Sequence, residues 1–305
     1  MRIAGRLAAG AVVAATVAVM TIAGGPPARA AANAAAPTQA APTRATANGP
    51  PGVRSRWAEL ANQATGADLW SRASVTERPM GSVTKVMTAY VVIEAGHLNR
   101  VITVPSGITG YDAGGASTAG LRPGEKLTAK QLLYAMLLPS GCDAAYTLAT
   151  AYGGAGGRAA FIARMNAAAR HLGLTKTHFS DFSGLPYPGP YTTYSTARDL
   201  VSLGRDAMRL PLFRAIVATR TFRLAAARSH NAHVWKNLNP LLGQFKGVTG
   251  IKTGFTAAAG DCLLFAATRG RRELIGVVLD SSPSVSGMAA AASDAAAMLD
   301  WGFSR

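Results

Sequence analysis

The stretch that most constrains the fold is Gly81-Ser82-Val83-Thr84-Lys85-Val86-Met87-Thr88-Ala89-Tyr90. It predicts a helix from about Ser82 to Ala95, closed by Gly96. Val86, Met87, Tyr90, Val91 and Ile93 spread apolar surface over most of its circumference. A helix apolar nearly all round must be packed on every side, so the chain has to supply other layers to enclose it. The same helix opens with Ser-x-x-Lys. Three residues make about one turn, which puts the Ser82 hydroxyl and the Lys85 amine on one face, within reach of each other. A serine hydroxyl is a weak nucleophile until a neighbour takes its proton. A buried lysine close to a second cation is suited to that task, because both influences disfavour the charged amine. Ser-x-x-Lys also arises by chance about once in a chain of this size, so the pattern alone does not establish catalysis.

The remaining segments show what encloses the helix. Residues 57–71 read as a first helical or strand segment, and Val101–Val104 as a short strand. Leu121–Lys126 reads as a turn, and Leu127–Leu138 as a helix with Thr128 as its cap. A helix is expected from Ser140 to Tyr152, a Gly-rich loop over 153–157, and a helix from Arg158 to Leu172 closed by Gly173. Residues 174–194 are irregular. Ser195-Thr196-Ala197-Arg198-Asp199 opens another helix, and Leu212–Val217 forms a short one. Strands are expected at Thr219–Leu224, Gly250–Thr253, Asp261–Thr268 and Glu273–Leu279, before a closing helix over 287–301. Helices and strands segregated in sequence imply an α+β fold, a mainly antiparallel sheet with helices packed on it plus a helical subdomain.

The first thirty residues stand apart. Arg2 and Arg6 precede an apolar run from Leu7 to Ala23, then Gly24-Gly25-Pro26-Pro27 and Ala28-Arg29-Ala30. These are the three regions of a secretory signal, with cleavage expected after Ala30. The apolar run is nearly long enough to span a bilayer, so an uncleaved N-terminal membrane anchor is the alternative. Residues 31–55 are rich in Ala, Pro and Thr, with almost no large apolar side chain, and read as a flexible linker. Residues 56–305 are the expected catalytic domain. The net charge is +16, and loss of Arg2, Arg6 and Arg29 with the leader leaves +13. In an exported chain this favours association with an anionic cell wall. Scattered basic residues without a recognition motif argue against nucleic acid. The pair Cys142 and Cys262 would be a disulfide by default in such a compartment, but the position of Cys142 described next favours a free thiol there, with Cys262 in the core. The five histidines form no metal-ligand pattern, and no metal or cofactor is expected.

Two further motifs converge with Ser82 and Lys85: Ser140-Gly141-Cys142-Asp143, and Lys252-Thr253-Gly254-Phe255-Thr256. Lys-Thr-Gly alone is expected by chance in only a few per cent of such chains. Ser-x-x-K, S-D-N and K-T-G in this order are the set of penicillin-binding proteins and class A β-lactamases. The flanks of all three, with Thr177-His178-Phe179, Gly184-Leu185 and Ser195–Leu200, closely resemble the low-molecular-mass D-alanyl-D-alanine carboxypeptidases over roughly residues 57–303.

The resemblance implies the serine β-lactamase/D,D-peptidase-like transpeptidase fold. It implies that Ser82 attacks the carbonyl between two D-alanines of a peptidoglycan stem peptide and forms an acyl-enzyme, with Lys85 taking its proton. Ser140 would relay a proton to the leaving D-Ala. Lys252 and Thr253 would hold the substrate's terminal carboxylate, and Gly254 would let the strand approach the substrate backbone. The N–H groups of Ser82 and Phe255 would form the oxyanion hole. β-Lactams would act as inhibitors. The sequence departs from the family pattern at Cys142, where asparagine is usual, so a thiol with weak hydrogen-bonding capacity faces the substrate. D,D-transpeptidation to an amine, β-lactamase activity and a non-catalytic penicillin-binding wall protein remain alternatives. His178 is expected to be structural. The C-terminal β-domain and amphipathic helix of the larger carboxypeptidases are expected to be absent.

Overall fold

In the computed structural model, residues 49–113, 116–283 and 288–305 are described. The signal, the anchor alternative and nearly all of the linker fall outside them. Within the described residues no helix is long and apolar enough to cross a membrane. The strands are β1 (Trp57–Asn62), β2 (Asp68–Arg72), β3 (Val101–Thr103), β4 (Lys126–Thr128), β5 (Thr221–Leu224), β6 (His233–Lys236), β7 (Val248–Gly254), β8 (Cys262–Arg269) and β9 (Arg272–Leu279). The helices are α1 (Lys85–Ala95), α2 (Gly110–Ala113), α3 (Ala129–Leu137), α4 (Cys142–Gly153), α5 (Gly157–His171), α6 (Ala197–Arg209), α7 (Pro211–Val217) and α8 (Ala289–Phe303).

The main sheet runs β2-β1-β9-β8-β7, and every neighbouring pair is antiparallel. Period-two alternation divides its side chains between two layers. Leu263, Phe265 and Ala267 of β8, with Leu274 and Val278 of β9, pack with Ala291, Ala295, Met298 and Leu299 of α8. Leu264, Ala266, Ile275, Val277 and Leu279 join the larger core that contains Val86, Met87, Ala89 and Val92 of α1. Helices α3, α4, α5 and α6 touch α1 on its remaining sides. The expectation of a buried helix is met from Lys85 to Val92: Val86, Met87, Ala89 and Val92 have no exposed surface, while Tyr90 and Ile93 are half-buried and the end at Glu94 and Ala95 is exposed.

Several boundaries move for local reasons. The segment at 57–71 resolves into the β1–β2 hairpin. Lys126–Thr128, read as the edge of a turn and a helix start, pairs as a strand with Val101–Thr103. Helix α3 begins only at Ala129. There the Thr128 hydroxyl accepts from Gln131 N, and the Gln131 side chain accepts from Thr128 N, a complete capping box. The Thr196 hydroxyl caps α6 in the same way, accepting from Asp199 N. Strand β6 was not anticipated. It pairs with β5, and its inward residues tie the hairpin to the chain that precedes Ser140. Trp235 Nε1 donates to Ala119 O at 2.8 Å, and His233 Nε2 lies 3.2 Å from Glu125 Oε1.

Candidate active site

Ser82 lies in a 3-10 turn, Gly81–Thr84, that feeds into α1, so the expected single helix is two pieces. The turn exists because two backbones meet there. Gly81 has φ +52°, and a Cβ on it would lie 2.8 Å from Phe255 N. A Cβ on Gly254 would lie 2.5 Å from Met80 O and 3.1 Å from Ser82 N. Only glycine lets β7 run this close to the serine turn. Gly254 therefore makes room for the protein's own backbone, where the sequence reading assigned it to the substrate. The same contact brings the N–H groups of Ser82 and Phe255 to one side of the site.

Lys85 has no exposed surface. Its Nζ lies 2.8 Å from Ser82 Oγ, 2.8 Å from Ser183 O and 3.4 Å from Cys142 Sγ. The Ser183 carbonyl is held in place by Asp181, whose Oδ1 accepts from Ser183 N, Ser183 Oγ, Gly184 N and Leu185 N. Thr88 of α1 fastens the same loop by donating to Phe182 O at 2.6 Å. Sequence reasoning missed Asp181 and Ser183. The only signal was an Asp-x-Ser-Gly run inside an otherwise irregular segment.

Ser140 does not begin a helix as expected. It sits in the left-handed region at φ +65°, two residues before α4 starts at Cys142. That conformation costs a non-glycine residue on the order of 1–3 kcal/mol. It holds a buried Ser140 Oγ that has no hydrogen-bond partner among the described residues. Asp143, one residue past Cys142, accepts from Ala119 N and Leu121 N and so anchors the loop opposite.

Ser82, Ser140, Cys142, Thr253, Gly254 and Phe255 line a cleft of about 390 Å³, with Leu185 and Leu238 at its sides. Lys252 is 1% exposed and lies behind this surface, its Nζ donating to Thr253 O at 3.0 Å. Burial and the neighbouring Lys85 hold the Lys252 ammonium well below the usual lysine range, and Cys142 opposes that shift. Both cysteines are free thiols and both are buried. Burial, above all, raises the Cys262 thiol to about 12, as befits a core residue facing the Ala259 carbonyl. His178 pairs through its backbone with Tyr194, outside the cleft.

The arrangement is a hydroxyl beside a buried amine, with a second hydroxyl, a thiol and the Thr253–Phe255 strand end lining the same cleft, and a buried cation next to Thr253. The family model described as D-alanyl-D-alanine carboxypeptidase covers residues 44–283. The chain is 40% identical over 270 residues to the D-alanyl-D-alanine carboxypeptidase of Streptomyces sp. strain K15, spanning 85% of this chain and 90% of that protein. It is 35% identical over 259 residues to a D-alanyl-D-alanine carboxypeptidase of Mycobacterium tuberculosis, spanning 83% and 84%. The crystal structure of the Streptomyces K15 DD-transpeptidase superposes with a TM-score of 0.77 at 39% identity, covering 84% of this chain and 99% of that one. The chain belongs to the D-alanyl-D-alanine carboxypeptidase family of serine peptidases.

Proposed function

We propose that this protein is an exported serine D,D-carboxypeptidase that removes the terminal D-Ala of peptidoglycan stem peptides through an acyl-enzyme on Ser82, and that β-lactams block it by acylating the same residue. The observation that carries the reading is the 2.8 Å contact between a fully buried Lys85 Nζ and Ser82 Oγ. Ser82 attacks the peptide carbonyl while Lys85 accepts its proton. The oxyanion that forms meets the N–H groups of Ser82 and Phe255. The Ser140 hydroxyl, which has no hydrogen-bond partner among the described residues, relays that proton from Lys85 to the departing D-Ala nitrogen, and water then hydrolyses the ester on Ser82. Thr253 contacts the terminal carboxylate from the cleft wall, and Lys252 attracts it from behind. The carboxylate's negative charge opposes the lowering that burial and Lys85 impose on the Lys252 ammonium.

Export rests on the N-terminal Arg2, Arg6 and apolar run, and wall association rests on the charge of +16. Transfer to an amine instead of water is the second reading, supported by the likeness to an enzyme titled a DD-transpeptidase. The test is a diacyl-D-Ala-D-Ala peptide incubated with the protein, with and without an amine acceptor. Release of D-Ala in water supports carboxypeptidation. Product only with the acceptor supports transpeptidation. No D-Ala released in either case contradicts both.

A further inference from the structure

A cavity of about 360 Å³ lies at the open end of the β5–β6 hairpin, and its walls include Arg220, Thr221, Lys236, Asn237, Asn239 and Gln244. Register and pleat sort the hairpin's side chains. Thr221 stands opposite Lys236, and Phe222 opposite Trp235. The Phe222 and Trp235 rings stack on the inner face, so Thr221 and Lys236 share the outer one. The strap that follows β6 alternates too: Asn237 and Asn239 line the cavity, while Leu238 between them lines the catalytic cleft. Hydrogen bonds fix this strap. Asn237 Nδ2 donates to Val217 O at 3.0 Å and Thr219 O at 3.1 Å, Leu238 N donates to Leu138 O at 3.1 Å, and Asn239 Oδ1 accepts from Leu241 N at 3.1 Å. Arg220 lies across Gly243, where a Cβ would come within 2.9 Å of its Nε.

The charge of this cavity is one-sided. No aspartate or glutamate lines it, and neither Arg220 nor Lys236 has an ion-pair partner among the described residues. Asn239 adds a donor: the residue is 4% exposed, its Oδ1 is taken, and its Nδ2 has no acceptor among the described residues. A buried N–H without a partner is costly, and so are two cations without a counter-charge. An anion rich in oxygen relieves both. The two oxygens of a carboxylate are too few for a guanidinium fork, an ammonium and an amide, whereas a phosphate group with its ester oxygens can meet all three. Thr221 and Gln244 beside them suit the hydroxyls of a polyol that carries the phosphate. We propose that this cavity binds a polyol phosphate, with the phosphate group held by Arg220, Lys236 and Asn239. The site is separate from the catalytic machinery and does not rest on the D,D-peptidase reading.

The test is isothermal titration calorimetry of the protein in chloride buffer at low ionic strength. The probes are sn-glycerol 3-phosphate, glycerophosphoglycerol, acetate and glycerol. At least one of the two phosphates is expected to bind about tenfold more tightly than acetate, with no measurable binding of glycerol and a loss of affinity as sodium chloride is added. The tighter of the two tells whether the site takes a free monoester or a link of a phosphodiester chain, and either result upholds it. Arg220→Gln is expected to weaken binding about tenfold through loss of one charge-assisted contact. Asn239→Asp keeps the acceptor for Leu241 N but sets a carboxylate oxygen in place of the donor, and is expected to abolish binding. Melting temperature reports whether each variant is folded, and Arg220 is exposed, so its variant stands as the test even if Asn239→Asp does not fold. Phosphates that bind no more tightly than acetate, or phosphate binding unchanged in the folded variants, would overturn the site.

Discussion

Glu59 in β1 offers a test of the electrostatics of the fold that is independent of catalysis. It is 5% exposed, its Oε2 accepts no hydrogen bond of good geometry, and its partner Arg198 stands 3.5 Å away with a half-exposed side chain. Burial first, and Asp68 second, raise its carboxyl to about 7. In the unfolded chain a glutamate titrates near 4.3. A carboxyl whose pKa is raised by folding contributes its full share of stability below the unfolded value, and that share is lost as pH rises through about 7. Between pH 5 and pH 8 the wild-type protein should lose about 2–3 kcal/mol through this group, at the linkage rate of about 1.4 kcal/mol per unit. Glu59→Gln keeps the shape and removes the titration. Urea unfolding of both proteins at pH 5, 6, 7 and 8 isolates the effect, because the other titrating groups are shared. The variant should gain on the wild type steadily with pH and level off above pH 7. Parallel curves over the whole range would refute the reasoning.

Three further outcomes are expected. Ser140→Gly relieves the left-handed strain and should be about 1 kcal/mol more stable in denaturant unfolding than Ser140→Ala, which removes the same hydroxyl but keeps the strain, and both should lose turnover. Gly254→Ala drives a Cβ into Met80 O and the serine turn; a loss of about 2 kcal/mol or more and a fall of at least tenfold in the β-lactam acylation rate are expected by stopped-flow. Asp181→Ala strands three backbone N–H groups and the Ser183 hydroxyl around the carbonyl that contacts Lys85. It should cost about 2–4 kcal/mol by thermal unfolding and lower kcat more than it raises KM.

Much of this could be read from residue order. The all-round apolar pattern of Val86 to Ile93 required an enclosed helix, and the three motifs around Ser82, Ser140 and Lys252 come together as expected. The hidden parts share a physical cause. The left-handed backbone at Ser140 leaves no mark in sequence, because nothing but glycine or asparagine advertises positive φ. Ser183 reaches Lys85 across 98 positions through a carbonyl, a group every residue has. Four residues, His233–Lys236, are too few for alternation to stand out, and the groups their inward side chains meet, Glu125 and the Ala119 carbonyl, lie more than a hundred positions upstream. Lys252 was expected to attract the substrate's terminal carboxylate; its motif says nothing of depth, and the fold leaves it 1% exposed, with Thr253, Gly254 and Phe255 beside it lining the cleft.

The most direct test of the central claim is the intact mass of the protein after incubation with penicillin, followed by peptide mapping, with Ser82→Ala beside it. The account expects one covalent adduct, on Ser82, absent from the variant and formed in step with the loss of D-Ala release. A correctly folded protein that takes up no adduct, or carries it on Cys142, would contradict the assignment of Ser82 as the nucleophile.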